Sequence, residues 1–333
     1  MSTRLKDRYE KMDYAFCGKS GLMLPRVSLG LWHNFGSVDC FENMRDMCRT
    51  AFDNGIVHFD IANNYGPVPG SAEENFGRIL KKDFHGLRDQ LLISSKAGYY
   101  MWEGPYGDGG SRKYLISSID QSLKRLQLDY VDIFYHHRMT PDTPLEETCL
   151  ALSQIVHSGK ALYIGISNYD GQTMEKASKI FKELKVPFVI NQNPYNILNR
   201  GVEDNGLLYA AKTAGKGVIC FSPLAQGLLT DRYINGVVQG SRASKNHFLK
   251  DSRITPEYIA GVKELNEIAK QRGQSLAQMS LSWVLKNDAV TSVLIGASSS
   301  EQILDDIKCI ENCSFTADEL ARIDEIANRI NNN

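Results

Sequence analysis

The chain has 333 residues, of which 42% are hydrophobic, and a formal net charge of −1 at pH 7. That length can bury a large core, and the near-neutral charge argues against a surface for nucleic acid or an anionic membrane. The polar start, MSTRLKDRYEKMDY, does not look like a secretory signal, and no apolar run has the length of a membrane span. Seven cysteines in no regular framework predict reduced thiols, a cytoplasmic location and no metal site.

Predicted β-rich runs and helices alternate along the chain. YAFCGKSGLMLP comes first and reads as a hairpin turned at Gly18–Gly21, which we expect to plug the bottom of a barrel. Eight predicted strands follow: VSLGL (27–31), VHFD (57–60), LLISSK (91–96), VDIFYHH (131–137), ALYIGIS (161–167), FVINQ (188–192), GVICFS (217–222) and TSVLIG (291–296).

A helix is expected after each strand. The expected positions are 41–54, from Ser71, from Ser111, within PLEETCLALSQIVHSG, 172–185, 203–213, the pair 256–271 and 275–286, and 300–310. Ser71 with Glu74, and Thr316 with Glu319, have the spacing of capping boxes.

Helical crossovers between strands imply parallel pairing. Eight such units predict an α/β fold of the (β/α)8 TIM-barrel type, with the N-terminal β-hairpin and an extra C-terminal helix over 316–330. Because there is no linker, repeat or low-complexity tract, we expect a single domain over residues 1–333.

Four chemically active residues lie at or just after the predicted strand ends: Asp60, Tyr65, Lys96 and His137. In a barrel of parallel strands these ends converge on one face, where catalysis is built. Each residue also has an ordinary structural explanation in a turn or a core. Together they suggest a phenol that protonates an oxygen, an ammonium that lowers the pKa of that phenol and is held by the carboxylate, and an imidazole that orients a carbonyl.

None of these side chains is a reductant, so a cofactor is implied. The chain has no G-x-G-x-x-G after a strand, which argues against the usual dinucleotide-binding fold. GDGG (107–110) lacks a preceding strand, and we interpret it as a lid over the barrel mouth rather than a phosphate loop.

Several motifs, in order, resemble the aldo-keto reductase superfamily from end to end. They are LGLWHNFG (29–36), FDIANNYG (59–66), SSKAG (94–98), YVDIFYHHR (130–138), GISN (165–168), FSPLAQGLLTDRY (221–233) and IGAS (295–298). Within the superfamily the chain is most similar to the bacterial L-glyceraldehyde-3-phosphate reductase branch. That branch is related to the β subunits of voltage-gated potassium channels.

The resemblance implies a hydride-transferring enzyme in which Tyr65 is the general acid, Asp60 and Lys96 tune it, and His137 orients the carbonyl. It also implies contacts with a nicotinamide cofactor along its length. The residues implied are Leu31, Trp32, Asp60, Ser167, Asn168, Gln192, Phe221, Ser222, Pro223, Leu224, Gln226, Gly227, Arg232, Arg242, Gly296, Ser298, Gln302, Asp305 and Asp306.

Within that set, the resemblance gives each part a role. Ser167, Asn168 and Gln192 would hold the carboxamide, and Phe221 would stack on the nicotinamide. The loop over 222–227 would wrap the pyrophosphate, largely through backbone amides. Asp305 and Asp306 would face the adenine.

Departures from the family pattern bear on the choice of cofactor. Many members grip the 2′-phosphate with Lys and Arg after the eighth strand, where this chain has Gly296 and Gln302. The channel-subunit branch instead uses a cation soon after the seventh strand and an arginine ten residues later, a spacing that Arg232 and Arg242 match. Two guanidiniums can clamp a phosphate, which predicts NADPH (NADP+), unless both are only solvated surface charges.

The substrate implied by the resemblance is a short aldehyde: glyceraldehyde 3-phosphate, methylglyoxal or a hydroxybutyraldehyde-like molecule. The predicted substrate residues are Trp32, Tyr65, Tyr100, Trp102, His137 and Arg138, and Tyr135 is expected to add aromatic surface near the mouth. Arg138 fits a phosphate or carboxylate ligand and a structural ion pair equally well.

Two other functions stay open at this point. One is an NADPH-binding regulatory subunit like those of potassium channels, against which His137 counts because that branch has Asn there. The other is an isomerase or lyase that uses Lys96 as a Schiff base. Relatives also suggest a homo-oligomer, a tetramer or an octamer.

Overall fold

Eight parallel strands close into a barrel in the computed structural model, which describes residues 7–237 and 249–332. The strands are β1 (Tyr14–Phe16), β2 (Met23–Pro25), β3 (Val27–Gly30), β4 (His58–Asp60), β5 (Leu92–Ala97), β6 (Val131–His136), β7 (Ala161–Ser167), β8 (Phe188–Pro194), β9 (Gly217–Phe221) and β10 (Val290–Ile295). Strands β3 to β10 follow one another around the barrel, and β10 closes it by pairing with β3. The predicted (β/α)8 barrel is confirmed.

Helices surround the barrel between its strands. Within the described ranges they are α1 (Phe41–Asp53), α2 (Ser71–Asp83), α3 (Arg112–Leu126), α4 (Leu145–His157), α5 (Gly171–Glu183), α6 (Gly201–Asp204), α7 (Leu207–Ala214), α8 (Pro256–Gln271), α9 (Leu276–Leu285), α10 (Ser300–Asp306) and α11 (Ala317–Asn331). None of them combines the length and apolarity that crossing a membrane requires.

The predicted helix over 203–213 is divided in two. Gly206 has a φ of 73°, in the left-handed region, and separates α6 from α7. The predicted helix over 300–310 also changes character, because α10 ends at Asp306 and a 3-10 turn continues over Ile307–Glu311. Sequence periodicity alone did not show either break.

One predicted capping box forms and the other does not. The Thr316 hydroxyl accepts from the Glu319 amide while the Glu319 carboxylate accepts from the Thr316 amide, which starts α11. The capping box predicted for Ser71 and Glu74 at the start of α2 is wrong. The N-cap is Gly70, in the left-handed conformation with a φ of 94°, so Ser71 is already helical and its hydroxyl makes no cap.

The hairpin β1–β2 closes the N-terminal end of the barrel, as expected. Cys17 and Leu24 have no solvent exposure and join the apolar cluster inside the barrel. The Cys17 thiol donates to the carbonyl of Val189 in β8, at 3.3 Å. Side chains of the hairpin therefore fill this end of the barrel interior.

The extra C-terminal helix α11 packs on α8. Ile323 and Ile326 of α11 are buried. Gly261 of α8 permits this approach, since a Cβ there would lie 2.6 Å from Cδ1 of Ile330. The predicted amphipathic helix after the barrel is therefore confirmed.

Candidate active site

The four predicted catalytic side chains meet at the C-terminal end of the barrel. Asp60 is the last residue of β4, Lys96 lies in β5, and His137 directly follows β6. Tyr65 comes from the short loop after β4. Asp60 and Lys96 have no solvent exposure, whereas Tyr65 and His137 retain 9% and 8%. The phenol and the imidazole are thus the members of this group that a ligand can reach.

Asp60 and Lys96 form a buried ion pair, with 2.5 Å between Nζ and Oδ2. The ammonium also donates to the Ile61 carbonyl at 2.8 Å and to the Tyr65 hydroxyl at 3.4 Å. Burial lowers the pKa of Lys96, and the Asp60 charge opposes that shift. The ammonium is therefore held by three acceptors, and one of them is the phenol.

Burial raises the pKa of Tyr65 well above its usual value of 10, and the nearby Asp60 charge adds to the shift. This is opposite to the sequence expectation that the ammonium of Lys96 would lower it. The phenol is buried deeply enough that desolvation outweighs the ammonium. In the unliganded protein Tyr65 therefore keeps its proton, which makes it a donor and not a base.

His137 is a neutral imidazole at neutral pH. Burial lowers its pKa well below 6.5, and the positive charge of Lys96 lowers it further. Its ring meets those of Tyr99 and Tyr65 edge to face, at centroid distances of 4.7 Å and 5.8 Å. Its Nδ1 is buried and has no hydrogen-bond partner in the part of the chain that the structure describes. The Asn168 side chain donates to the backbone carbonyl of His137.

Two further side chains hold Asp60 from the barrel interior. The Ser94 hydroxyl donates to Oδ1 at 2.6 Å, and the Gln192 amide donates to the same oxygen at 3.2 Å. Sequence reasoning missed Ser94. The signal was the two-residue period of β5, which puts Ser94 and Lys96 on the same face of the strand.

Aromatic rings border the reachable part of this group. Trp32 is 38% exposed and its ring lies 6.1 Å from that of Tyr65. Tyr100 is 54% exposed, whereas Trp102 is half-buried and packs on Tyr114 at 5.1 Å. Tyr135 lies opposite Lys96 on the neighbouring strand but is fully buried, so it adds no exposed aromatic surface at the mouth.

Arg138 connects the end of β6 to the Gly-rich loop. Its guanidinium pairs with Asp108 at 2.8 Å, donates to the Gly98 carbonyl at 2.7 Å and lies over the Tyr99 ring at 4.5 Å. The structure therefore contains the ion pair that the sequence left as one alternative. The Arg138 side chain is still 36% exposed, so it also remains accessible to an anion.

Residues predicted to hold a nicotinamide carboxamide lie beside Asp60. Ser167 ends β7 and Gln192 lies in β8, and both are buried. Asn168 has a left-handed φ of 60°, and its side chain donates to Ser167 Oγ at 3.1 Å. Phe221 ends β9 and is partly buried against the barrel interior.

The loop after β9 has an unusual backbone. Ser222, Ala225 and Gln226 have φ angles of 51°, 47° and 60°, in the left-handed region that non-glycine residues seldom adopt. The Asn196 side chain holds the Ser222 carbonyl at 2.9 Å. Such strain is concentrated at ligand-binding loops. Within the described residues the buried Gln226 Oε1 also has no partner, so this loop has an acceptor available for a ligand that donates a hydrogen bond.

Several residues predicted to bind the cofactor are buried or already form hydrogen bonds within the protein. Leu31 is fully buried, backbone included. Gln302 Oε1 accepts from both the amide and the hydroxyl of Ser298. Asp305 accepts from the Gln278 amide at 2.8 Å.

Asp306 is buried, and that burial, with the neighbouring Asp305 charge, raises its pKa to about 7. Gly296 and Arg232 are exposed, and Arg242 lies outside the described residues. Of the two arginines predicted to bind the 2′-phosphate, Arg232 is the one that lies within the described residues.

No group of three or more potential metal-binding side chains occurs in the part of the chain that the structure describes. Cys309 is buried, and the Cys313 thiol donates to its carbonyl at 3.4 Å. Cys309 lies in the 3-10 turn and Cys313 just after it, so local packing accounts for this pair of cysteines.

Comparison with known proteins agrees with this geometry. The aldo/keto reductase family model matches residues 26–328. An L-glyceraldehyde 3-phosphate reductase of Escherichia coli strain K12 is 56% identical over 323 residues, which cover 96% of this chain and 93% of that protein.

More distant relatives carry a different description. A putative voltage-gated potassium channel subunit beta of Schizosaccharomyces pombe is 34% identical, covering 96% of this chain and 94% of that protein. A probable subunit of the same kind from Oryza sativa subsp. japonica is 32% identical, covering 90% and 92%. The chain belongs to the aldo/keto reductase family and is an oxidoreductase.

Proposed function

We propose that this protein is an NADPH-dependent reductase of short aldehydes in which Tyr65 donates the proton. The observation that carries the proposal is the buried phenol within 3.4 Å of the Lys96 ammonium, beside a neutral His137 and open to the barrel mouth. Members of this family use nicotinamide cofactors. A bound reduced nicotinamide supplies the hydride.

Residues of the chain bind the carbonyl group, donate the proton and stabilise the phenolate that is left. The carbonyl oxygen of the aldehyde accepts a hydrogen bond from Tyr65 and one from the imidazole N–H of His137. As negative charge develops on that oxygen, Tyr65 transfers its proton to it. The Lys96 ammonium, 3.4 Å from the phenol oxygen, stabilises the phenolate that remains.

A Schiff-base mechanism on Lys96 is much less compatible with this geometry. Nζ is fully buried and engaged with Asp60, Ile61 and Tyr65. A nucleophilic amine must be neutral and reachable by a carbonyl carbon, and neither condition is met.

The first experiment is NADPH consumption with methylglyoxal for wild type and Tyr65→Phe. We expect kcat to fall at least about 100-fold in the variant, the scale of a lost general acid, while NADPH still binds. Tyr14→Phe is the matched control, because its hydroxyl donates to the Gly55 carbonyl at the opposite end of the barrel. Tight NADPH binding with no turnover across an aldehyde panel would favour the regulatory-subunit function instead.

We propose Arg232 and Arg242 as the source of NADPH preference. The exposure of Arg232 near the strained loop 222–227 supports this. Arg232→Ala should raise KM for NADPH about tenfold and leave that for NADH nearly unchanged, since only NADPH carries the 2′-phosphate. Equal losses with both cofactors would refute the assignment.

We further propose that Arg138 binds the phosphate of glyceraldehyde 3-phosphate. The relative described as an L-glyceraldehyde 3-phosphate reductase, and the partly exposed guanidinium one residue after His137, support this. Arg138→Met should raise KM about tenfold for the phosphorylated aldehyde and less than about twofold for methylglyoxal. Because Asp108 competes for the guanidinium, Asp108→Asn should lower KM for the phosphorylated aldehyde. A parallel change for both substrates would instead indicate that Arg138 only shapes the loop.

We also propose that the protein is a homo-oligomer in the cytoplasm, a tetramer or an octamer, as the sequence resemblance implies. Light scattering of the purified protein would test this, and a mass equal to one chain would exclude it.

A further inference from the structure

A chain of buried polar side chains crosses the barrel interior below the active site. It runs from β10 through β3 and β4 to β5 and back to the end of β4, and none of its members has any solvent exposure: Ser292, Ser28, His58, Ser94 and Asp60. The successive distances are 2.7 Å (Oγ to Oγ), 2.9 Å (Oγ to Nδ1), 3.0 Å (Nε2 to Oγ) and 2.6 Å (Oγ to Oδ1). The aldehyde-reducing residues do not include its first four members.

The hydrogen bonds of this chain have one consistent direction. The ionised Asp60, paired with Lys96, can only accept, so Ser94 must donate its single proton to Oδ1. The Ser94 oxygen then accepts from Nε2–H of His58. A neutral imidazole with a proton on Nε2 has an acceptor at Nδ1, which Ser28 fills.

The charges around His58 agree with a neutral ring. Burial lowers its pKa to about 4, and of the two charged neighbours Asp60 raises it while Lys96 lowers it. From the other adjacent strand, β3, the group that reaches the ring is the neutral hydroxyl of Ser28. His58 is therefore neutral at pH 7, and with its proton on Nε2 it accepts from Ser28 at Nδ1.

We propose that His58 is a positioning residue of the active site. As the Nε2–H tautomer it fixes the Ser94 hydroxyl, which holds Oδ1 of Asp60 so that Oδ2 faces the Lys96 ammonium. His58 contacts neither substrate nor cofactor and acts through Ser94. The effect on catalysis rests on the proposed function above, whereas the tautomer and the hydrogen-bond direction do not.

The two carboxylate oxygens of Asp60 accept from different donors, which explains why the Ser94 hydroxyl must be held in place. Oδ2 receives Lys96, while Oδ1 receives Ser94 and Gln192. A carboxylate rotates about one bond, so losing a donor at Oδ1 frees both oxygens. A fully connected polar network fixes a single orientation, and a partly connected one does not.

Neutron diffraction from crystals of the deuterated, unliganded protein at pH 7 tests the tautomer directly. We expect deuterium on Nε2 of His58, none on Nδ1, and the Ser94 deuterium directed at Asp60. Deuterium on Nδ1 alone, or on both ring nitrogens, would overturn the proposal. This result does not depend on any enzymatic activity, so it stands even if no aldehyde is reduced.

Kinetics of two neighbouring serines test the positioning. Ser94 and Ser95 are both fully buried and each donates to a carboxylate at 2.6 Å, but Ser95 faces Glu73 of α2, outside the barrel. Ser94→Ala should lower kcat about tenfold, the scale of one hydrogen bond to a charged group, with KM for the aldehyde within about twofold. Ser95→Ala should leave kcat within about twofold.

Two substitutions of His58 complete the test. His58→Leu removes the donor and should lower kcat at least as much as Ser94→Ala. His58→Gln keeps an amide that can donate towards Ser94 and should recover most of the loss. Equal kcat for Ser94→Ala and Ser95→Ala in a protein whose wild type is active would overturn the positioning role. Inactivity of the wild type would refute the proposed function instead.

Discussion

The two sides of the barrel interior are built on different principles. On one side, here called the polar wall, β10, β3, β4 and β5 place hydrogen-bonding groups inward: Ser292, Ser28, His58 and Ser94. On the other side, here called the apolar wall, β6, β8 and β9 fill the interior with Ile133, Tyr135, Ile190 and Ile219. Both walls are fully buried, so burial alone does not distinguish them.

The difference shows what an internal charge requires. Asp60 and Lys96 lie at the end of the polar wall, where each charge has fixed partners of opposite polarity. Of the four side chains that define the apolar wall, only Tyr135 carries a polar atom, a buried hydroxyl without a hydrogen-bond partner in the described part of the chain. This wall therefore depends mainly on shape and volume. Substitutions in the polar wall should therefore act through lost hydrogen bonds and charges, and those in the apolar wall through packing.

The largest expected effect comes from removing one charge at the end of the polar wall. Lys96→Met leaves the Asp60 carboxylate buried without its ammonium, which should lower the free energy of unfolding by about 3–5 kcal/mol. Urea unfolding at pH 7 measures this. The double variant Asp60→Asn with Lys96→Met should recover part of the loss because no unpaired charge remains. A loss below about 1 kcal/mol for the single variant would show that Asp60 does not depend on the pair.

The next largest effect is the pH dependence of stability, which we expect from the polar wall because it contains a titrating group. The pKa of His58 is lowered to about 4 by burial, whereas an unfolded histidine titrates near ~6.5. Between these values the unfolded chain binds a proton that the folded protein does not. The free energy of unfolding should therefore decrease as pH falls from about 6.5 to 4, by up to about 3 kcal/mol from this residue.

The comparison that isolates His58 is wild type against His58→Gln. Another buried histidine, His136, has its pKa lowered to about 3 and contributes to the same acid loss in both proteins. Urea unfolding at pH 7 and pH 5 should show a smaller decrease in the variant. Identical decreases would mean that His58 is not buried as a neutral ring.

In the apolar wall, a packing change should have an intermediate effect. A Cβ added at Gly165 of β7 would lie 2.3 Å from Cε1 and 2.4 Å from Cδ1 of Tyr135. Gly165→Ala should thus destabilise the protein by about 1–3 kcal/mol through overpacking. Gly21→Ala, where no atom lies within 4 Å of the added Cβ, is the control and should change stability by less than about 0.5 kcal/mol. Similar stabilities for both variants would indicate that Tyr135 moves aside freely.

The sequence predicted the apolar framework and the residues at the strand ends more readily than the polar wall. Strand ends can be read from runs such as LLISSK, so Asp60 and Lys96 were expected at one face. Ser94 was missed although the two-residue period of β5 places it on the same face as Lys96. His58 was missed because its inward direction depends on register. The three-residue strand β4 is too short to display a period of two.

Two further differences arise from properties that only the folded protein has. The start of α2 depends on Gly70 adopting a left-handed conformation, which left Ser71 inside the helix. The pKa of Tyr65 is raised because the phenol is desolvated, and the depth of burial cannot be read from neighbouring residues in the chain.

The smallest expected effect lies at the far end of the polar wall. Ser292 donates to Ser28, and Ser28 retains its own proton for His58 if Ser292 is lost. Ser292→Ala should therefore cost about 1 kcal/mol of stability and leave kcat within about twofold, although it removes a fully buried hydroxyl. Ile133→Val in the apolar wall should cost a similar amount, about 0.5–1.5 kcal/mol, without affecting kcat. A tenfold loss of kcat in Ser292→Ala would extend the positioning chain across the whole polar wall, because the orientation of Asp60 would then depend on a donor on β10.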